Sequence, residues 1–414
     1  MENYRYLVRH INVRHINGSK IGCVILPVFL IIFFLGYSPD AFSSPEVNDP
    51  LFGEQKSLFD KLSVLEAWRV TKGSPDVLIG IIDLGFDFFH PDLKLAPGFY
   101  AQEGYHPEIY EVVAHGTWVA SIIGAKINEV GMVGLAPECE ILTASYGLIE
   151  HKPLKMQKEF VKNNPEATFL ELQEEMLKHT EEIEKWGREW TNYMALSISE
   201  AIRYLADQGV KVINISAFLS RGSFFNVEAW EELEKAFFYA EENDVIMVLG
   251  AGNNAIKCED YPGGSLTIIA GATLLNDERW EEEVDYIGTK IKQGSNYGEK
   301  LTVMAPVQDI VVCEPHEKRF YSWESGPMGP GNVEFKDIYN TLQIGATSSA
   351  APVVTSLIGL VYSVRPDLDA KSVVEIVKKG CDDIGEEGYD MYTGYGRVNF
   401  AKTIDLAKNW PAGN

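Results

Sequence analysis

The sequence is poor in cysteine, in basic residues and in long apolar runs. Its 414 residues include five cysteines, and none of these forms a CxxC pair or a cysteine–histidine cluster of the kind that binds zinc. Lysine and arginine number 36 against 60 aspartates and glutamates, which gives a net charge of -24. Because phosphate binding needs a basic surface, we expect no nucleic-acid partner. No internal repeat or low-complexity tract is present.

The single long apolar run lies at the N-terminus, from Ile21 to Leu35, and follows several basic residues. Small residues come after it. This order predicts a secretory signal peptide over residues 1–43, cleaved after Ser43. The run is shorter than the roughly 20 residues of a full membrane span and is interrupted by Pro27, which favours cleavage over a retained anchor. We therefore expect an exported protein, secreted or periplasmic. The alternative is an outward-facing, membrane-anchored form, the only case in which a membrane is a partner.

Cleavage would leave four of the five cysteines in the mature chain, namely Cys139, Cys258, Cys313 and Cys381. Export permits disulfide bonds, and four cysteines allow three pairings. Four buried thiols are an equally good interpretation. The sequence leaves the two alternatives open.

Short apolar runs alternate with helical segments through the rest of the chain. The predicted strands are 77–82, 140–144, 210–215, 244–249, 266–272 and 301–305. The predicted helices are 57–71, 196–207, 227–242, 347–364, 369–379 and 399–408, with another that begins at His115. This alternation predicts an α/β domain over residues 44–410, with a mainly parallel central sheet and helices on both faces. A charged segment over residues 148–193 has helical spacing and is predicted to be a helical insertion.

Polar side chains lie at the carboxyl ends of the predicted strands, which is where active sites occur in parallel α/β sheets. Asp83 follows the first strand, and a carboxylate there needs a partner such as a histidine N–H. His115 can accept a proton from a serine hydroxyl, and Ser348 lies at a helix start, near free N–H groups. Asn253 follows another strand and can donate to an oxyanion. Taken singly, each residue is explained as well or better by a cap, a turn or an ordinary helix start.

The set as a whole is more specific than its parts. The chain order Asp83, His115, Ser348 is the order of the subtilisin triad. From about Asp49 to Ala407, apart from the insertion, the chain resembles the subtilisin-like serine peptidases, or subtilases, most of all the thermitase-type members. The motifs that carry the resemblance are Ile79-Gly-Ile-Ile-Asp83, His115-Gly-Thr-Trp-Val-Ala120, Gly134-Leu-Ala-Pro137, Val212-Ile-Asn-Ile-Ser216, Thr347-Ser-Ser-Ala-Ala-Pro352 and Gly394-Tyr-Gly-Arg-Val-Asn399.

The resemblance implies a subtilisin-like fold and a serine endopeptidase that hydrolyses protein or peptide substrates through an acyl-enzyme. In that mechanism Ser348 is the nucleophile, His115 the general base and acid, Asp83 the residue that orients His115, and Asn253 the oxyanion donor. The implied substrate cleft consists of Ser216, Ala217, Phe218, Gly250, Ala251 and Gly252. No metal or other cofactor is expected in the chemistry. Structural calcium is common in the family, but no loop here is specific enough to place it.

Departures from the family pattern keep other functions open. Leu84 replaces a hydroxyl residue beside the aspartate. Ala346 stands where glycine precedes Thr-Ser and is predicted to tighten the backbone there, and Phe218 replaces a glycine and is predicted to narrow the cleft. A weak or inactive subtilase-fold binding protein is therefore the alternative function. A metal-dependent hydrolase lacks a cluster of candidate ligands. The insertion, with an apolar face and many glutamates, is either decoration or a lid or exosite that favours basic or extended substrates.

Overall fold

A seven-stranded sheet forms the centre of this computed structural model, and every neighbouring pair of its strands runs parallel. The structure describes residues 47–101, 110–147, 152–221, 225–286, 289–315, 321–322, 326–327 and 338–411. The predicted signal peptide over residues 1–43, its cleavage point and Cys23 lie outside the described residues.

The strands alternate with helices along most of the chain. The strands are β1 (Leu78–Asp83), β2 (Leu95–Tyr100), β3 (Glu140–Ser145), β4 (Val212–Ile215), β5 (Ile246–Gly250), β6 (Thr267–Thr273), β7 (Glu281–Tyr286), β8 (Thr289–Gly294), β9 (Val303–Pro306), β10 (Gln308–Cys313), β11 (Tyr321–Ser322), β12 (Gly326–Pro327) and β13 (Tyr339–Ile344). The helices are α1 (Phe52–Leu62), α2 (Val64–Trp68), α3 (Tyr110–Gly124), α4 (Lys152–Asn163), α5 (Phe169–Lys178), α6 (Thr180–Asp207), α7 (Val227–Glu242), α8 (Ala346–Val364), α9 (Ala370–Gly380) and α10 (Phe400–Asn409).

The central sheet has the strand order β2-β3-β1-β4-β5-β6-β9 and is buried on both faces. Alternate residues of one strand enter opposite cores: Val212 packs with one apolar cluster, and Ile213 and Ile215 pack with the other. Continuous apolar runs follow from this double burial, which is why they predicted the strands. The predicted parallel sheet with helices on both faces is confirmed.

Two groups of helices cover the sheet. Residues of α1, α2, α3, α8, α9 and α10 form the first apolar cluster, and residues of α6 and α7 form the second. Helix α8 is the one described helix long and apolar enough to span a membrane, but almost all of its side chains are buried in the first cluster. Its apolar character therefore reflects its place at the centre of the protein.

The insertion is helical, as predicted, but its end differs from the prediction. Helix α6 is continuous from Thr180 to Asp207, so the helix expected to begin at Leu196 begins well inside the insertion. Its fully buried side chains occur only from Ala195 onward, because the preceding turns extend beyond the second core. A capping box between Thr168 and Glu171 begins α5.

Several other boundaries also differ from the sequence predictions. The lead-in helix is two helices separated by Ser63, which has a φ of 56°. His115 lies in the second turn of α3, because the helix begins at Tyr110. The unpredicted strands are the edge strand β2, the hairpin β7–β8, the antiparallel pair β10–β13 and the short pair β11–β12.

Candidate functional site

A buried carboxylate and a histidine are hydrogen-bonded to each other at the carboxyl edge of the sheet. Asp83 ends β1, and both of its carboxylate oxygens lie 2.9 Å from Nδ1 of His115. The side chain of Asp83 is 2% exposed and that of His115 is 32% exposed. The backbone N–H of Leu84 donates to Asp83 Oδ1 as well (2.8 Å). With Nδ1–H donating to the carboxylate, Nε2 of the neutral ring is left as a proton acceptor.

The ionisation of His115 reflects two opposing effects. Burial acts to lower the pKa of His115, while the charge of Asp83 and the hydrogen bond to it act to raise it. The attraction of Asp83 outweighs burial, so the pKa lies above its ordinary value of 6.5. The pair is therefore suited to hold a proton that the imidazole has accepted.

Ser348 lies in the first turn of α8, next to the end of β4. Its Oγ donates to the carbonyl oxygen of Ser216 (3.3 Å), and Ser216 Oγ donates to the Ser348 carbonyl oxygen (2.8 Å). Asn214 Nδ2 in turn donates to Ser216 Oγ (3.0 Å). Ser348 and His115 line the same cavity, although the Ser348 hydroxyl is turned toward Ser216.

Asn253 follows β5 and is held by the residue before Ser348. Its Oδ1 accepts from the backbone N–H of Thr347 (3.0 Å) and from Thr347 Oγ1 (2.7 Å). Thr347 Oγ1 also accepts from the backbone N–H of Gly252 (3.1 Å). Within the described part of the chain, Asn253 Nδ2 makes no hydrogen bond. The amide is thus fixed through its oxygen, with its N–H groups left to donate.

The predicted cleft residues lie in two segments, which we call walls: 216–218, directly after β4, and 250–252, at the end of β5. The ring of Phe218 lies against Gly252, where an added Cβ would come within 2.6 Å of it. The same ring meets Tyr261 edge-on at 6.1 Å, and Tyr261 donates to the carbonyl oxygen of Ala251 (2.7 Å). Phe218 therefore connects the two walls, and Ala217 beside it is half-buried.

Three supporting residues received no role from the sequence. Thr347 orients Asn253, and Asn214 links Ser216 to Thr355 of α8 through the Thr355 Oγ1–Asn214 Oδ1 bond (3.0 Å). Asn214 is fully buried in an otherwise apolar strand. That pattern was the available signal, because a buried amide has to be hydrogen-bonded.

All four cysteines within the described residues are free and buried. Cys139 lies near Ser363 Oγ (3.7 Å), Cys258 near Ser220 Oγ (3.5 Å) and Cys381 near the Val377 carbonyl oxygen (3.3 Å). Burial raises the pKa of the Cys139 thiol, which disfavours the reactive thiolate. The sequence left open whether these cysteines form disulfide bonds or are buried thiols, and in the structure they are buried thiols.

A pair of buried carboxylates lies apart from this site. Asp49 accepts from the backbone N–H of Asn128 (3.1 Å), and Asp92 accepts from the backbone N–H of Met132 (3.1 Å) and the hydroxyl of Tyr339 (3.2 Å). Each carboxylate keeps one buried oxygen with no hydrogen-bond partner among the described residues. Burial, together with the charge of Asp49, raises the pKa of Asp92 to about 7. A cluster of three or more His, Cys, Asp or Glu side chains suited to a metal does not occur in the described ranges.

The parallel sheet, its two helical layers and the polar residues at its carboxyl edge define a subtilisin-like α/β protein. The chain belongs to the subtilase family, whose family model matches residues 74–396.

Curated relatives and a solved structure agree with this assignment. A thermophilic serine proteinase of Bacillus sp. (strain AK1) is 28% identical over 80% of this chain and 63% of its own length. Thermitase of Thermoactinomyces vulgaris is 25% identical over 86% of this chain and 98% of its own length. The crystal structure of fervidolysin from Fervidobacterium pennivorans has the same fold, with a TM-score of 0.57 and 22% identity, over 90% of this chain and 48% of that one. The chain thus spans less than two thirds of two of these three proteins.

Proposed function

We propose that this protein is an active serine endopeptidase that hydrolyses peptide bonds of protein or peptide substrates. The observation that carries the proposal is the Asp83–His115 hydrogen-bonded pair, with Ser348 in the lining of the same cavity. Membership in a family whose curated relatives are serine proteases supports it. The second candidate is a subtilase-fold binding protein with little or no activity, which the strained Ala346 and the filled cleft at Phe218 favour.

The mechanism begins with proton transfer from Ser348 to His115. The Ser348 hydroxyl turns from the Ser216 carbonyl toward Nε2 of His115, which accepts its proton as Oγ bonds to the substrate carbonyl carbon. Asp83 keeps the ring in the correct tautomer and stabilises the imidazolium ion. Asn253 Nδ2 and the Ser348 backbone N–H donate to the oxyanion.

Collapse of this intermediate breaks the carbon–nitrogen bond. The leaving amine takes the proton from His115, and the acyl group remains on Ser348 as an ester. Water then attacks the ester in the same manner: it gives a proton to His115, which returns one to Ser348 Oγ as the acid product leaves. No step in this sequence requires a cofactor.

Labelling with a fluorophosphonate tests the proposal against the binding-protein alternative. The active enzyme should react at Ser348 and hydrolyse a peptide library, whereas Ser348→Ala should do neither. The variant should unfold within about 1 kcal/mol of the parent, since it loses one hydroxyl in the first turn of a helix. Equal labelling and hydrolysis by Ser348→Ala would remove Ser348 from the mechanism. Absence of both in the parent would favour the binding protein.

Export is part of the proposal and depends on the N-terminal sequence. A basic segment, an apolar run and small residues precede the peptidase domain in the order of a signal peptide. N-terminal sequencing of the mature protein is expected to find a start near Ser44 in the medium or periplasm. Recovery of the uncleaved chain in the membrane fraction would instead support the anchored form.

The proposal also includes a structural calcium ion. Its ligands would include the unpartnered oxygens of Asp49 and Asp92. Calcium prefers carboxylate and carbonyl oxygens, and a divalent cation would compensate two buried negative charges that otherwise repel each other. Bound there, the ion would stabilise the fold; it has no part in the chemistry at Ser348.

A further inference from the structure

A cavity of about 230 Å³ opens beside His115 and Ser348, both of which contribute to its lining. We call it the α3–β13 cavity, because its apolar walls come from those two elements. These walls consist of Trp118, Val119, Ile122, Leu342 and Ile344. The ring of Trp118 is fixed by a hydrogen bond from its Nε1 to Glu314 (3.1 Å). The cavity is thus a formed, largely apolar space next to the reacting atoms.

The α3–β13 cavity lies beside His115 and away from Asn253, and this position assigns the cavity to one side of the scissile bond. His115 delivers its proton to the leaving amine, so the amine-side residue of a substrate lies toward His115. The proposed oxyanion donor Asn253 would bind the oxygen of the acyl carbonyl, and the segments 216–218 and 250–252 lie next to it, with Phe218 against Gly252. None of them belongs to the described lining of the α3–β13 cavity. A side chain in this cavity therefore belongs to the residue that follows the cut.

The chemistry of the walls defines the side chain that fits. Apart from His115, no titratable side chain is in the described lining, so a carboxylate or ammonium group placed there would lose hydration without gaining a partner. A large apolar side chain would gain from leaving water in proportion to its buried area. On the acyl side, the ring of Phe218 occupies the space against Gly252. The α3–β13 cavity thus supplies open, apolar volume on the amine side.

We propose that the α3–β13 cavity binds the side chain of the residue immediately after the scissile bond, and that it selects a large apolar residue there. This inference rests on the proposed peptidase function. It makes Leu342, which is half-buried at the cavity wall, a specificity-determining residue of this particular chain. Phe218 limits the acyl side, so selection falls mainly on the residue after the cut.

Peptides that differ only in the residue after the cut test the inference. The full chain should cleave those with Leu, Ile, Phe or Met at this position about 10- to 100-fold faster in kcat/KM than those with Gly, Asp or Lys. Leu342→Trp fills the cavity and should reduce that ratio to about 3 or less. Leu342→Ala enlarges it and should shift the preference toward Tyr and Trp.

A neighbouring residue of the same strand supplies the matched control. Gln343 is exposed and points away from the cavity side of β13, so Gln343→Trp adds the same ring and should keep the parent preference. Phe218→Gly should broaden the residues accepted before the cut and leave the preference after it unchanged.

The outcomes separate this inference from the function on which it rests. A parent enzyme that cleaves without preference after the cut, or prefers charged residues there, overturns the cavity assignment and leaves the peptidase intact. An unchanged profile in a folded Leu342→Trp overturns it as well. If circular dichroism shows that Leu342→Trp is unfolded, the profile of Leu342→Ala decides. A parent that hydrolyses no peptide above the level of Ser348→Ala removes the peptidase function itself.

Discussion

At the start of α8, Ala346 has a φ of 53°, two residues before Ser348. Residues with a Cβ enter this left-handed region at a cost of roughly 1–2 kcal/mol, because Cβ approaches the following carbonyl oxygen. The family pattern has glycine at this position, for which the sequence predicted a tightened backbone; the structure shows a positive φ at this alanine. The strained residue lies beside the proposed nucleophile, and the next residue, Thr347, is held by hydrogen bonds to Asn253.

Ala346→Gly should therefore stabilise the protein. Glycine removes the left-handed strain but costs more chain entropy, so the free energy of unfolding should rise by about 0.5–1 kcal/mol. Denaturant unfolding measures this change. Ala350→Gly is the matched control, because the same substitution in the helical interior of α8 should destabilise by about 1 kcal/mol or more. A stability loss in both variants would show that Ala346 carries no net strain.

The pH dependence of activity should report the His115–Asp83 pair. Catalysis needs the neutral imidazole, so kcat/KM should rise with pH through a midpoint above the ordinary 6.5. The pair's contribution to stability has the opposite sign. Because the pKa of His115 is higher in the folded protein than in the unfolded chain, the pair stabilises the fold fully at a pH below the unfolded pKa. This stabilisation is lost as the pH rises through the folded pKa. Activity and this part of stability should thus change in opposite directions across one pH window.

Asp83→Asn separates the two causes of the His115 pKa. With the charge removed, burial is left to lower the pKa, so the midpoint of the pH profile should move below that of the parent. The rate should fall by about 10⁴-fold, because the histidine tautomer is no longer fixed. A midpoint that stays in place in Asp83→Asn would show that Asp83 does not set the ionisation of His115.

Asn253 should act through its amide N–H. Asn253→Ala should lower kcat by about 10²–10³-fold with little change in KM, because the donor matters mainly once the oxyanion has formed. Asn253→Asp keeps acceptors for both Thr347 bonds but loses the donor, so it should lose at least as much activity with better-preserved stability. A rise in KM at constant kcat would assign Asn253 to substrate binding instead.

At the scale of elements, the N-terminal part of α6 joins the insertion to the sheet. Trp190 lies 6.2 Å from the ring of Tyr146, just past β3, and stacks on Trp186 at 6.4 Å. Of the apolar residues expected to form the insertion's packing face, Leu172, Met176 and Ile183 are half-buried, while the side chain of Phe169 lies outside the described set. Among the described contacts, the insertion is attached through these rings and through Asn192 Oδ1, which accepts from the backbone N–H of Asn226 (2.8 Å).

The glutamates of the insertion are less available for substrates than their number indicates. Glu175 is paired with Lys178 (2.7 Å), and Glu184 with Arg188 (3.7 Å). Glu171 is engaged in the capping box at the start of α5. Exposed pairs of this kind contribute little to stability, but they reduce the net field toward a basic peptide. We therefore expect steric restriction rather than charge to be the effect of the insertion.

Replacing residues 152–179 with a short glycine-rich loop tests this expectation. The variant keeps α6 and its aromatic contacts, so the fold should survive. It should cleave folded proteins faster, while its turnover of small peptides and its relative rate on basic peptides should stay near those of the parent. If folded proteins are also cleaved at the parental rate, the insertion is decoration. If the variant instead loses a preference for basic peptides, the insertion acts as an acidic exosite.

At the scale of the whole molecule, double burial made much of the fold predictable. Both faces of the sheet are covered, so its strands are apolar runs in the sequence. The strands predicted in this way, each to within about two residues, are β1, β3, β4, β5, β6 and β9. Edge strand β2 was missed, since Pro97 and Gly98 weaken a strand signal and its side chains are only partly buried. Helix α6 was split at Leu196 because its burial changes there, although the backbone continues.

The candidate site was predictable for a different reason. Asp83 ends β1, while Ser216 and Asn253 follow β4 and β5. These three strands neighbour one another in the sheet, so their carboxyl ends lie along the same edge. Local sequence carries no comparable sign of Thr347 as the residue that holds Asn253, since that contact joins a loop to a helix 94 residues away. The catalytic roles of Asp83, His115 and Ser348 remain predictions until the variants are measured.

Calcium should act on the stability of the whole domain through Asp49 and Asp92. Ligand that binds only the folded state stabilises it by about 2.7 kcal/mol at 100 times its dissociation constant, so Tm should rise with calcium and fall with a chelator. Magnesium should substitute poorly, because it demands a tighter octahedral shell. Asp92→Asn removes one of the two charges and should abolish the calcium response. Asp60→Asn, at an exposed position of α1, is the matched control and should keep it. A Tm that ignores calcium in the parent, or responds equally in Asp92→Asn, would refute the site.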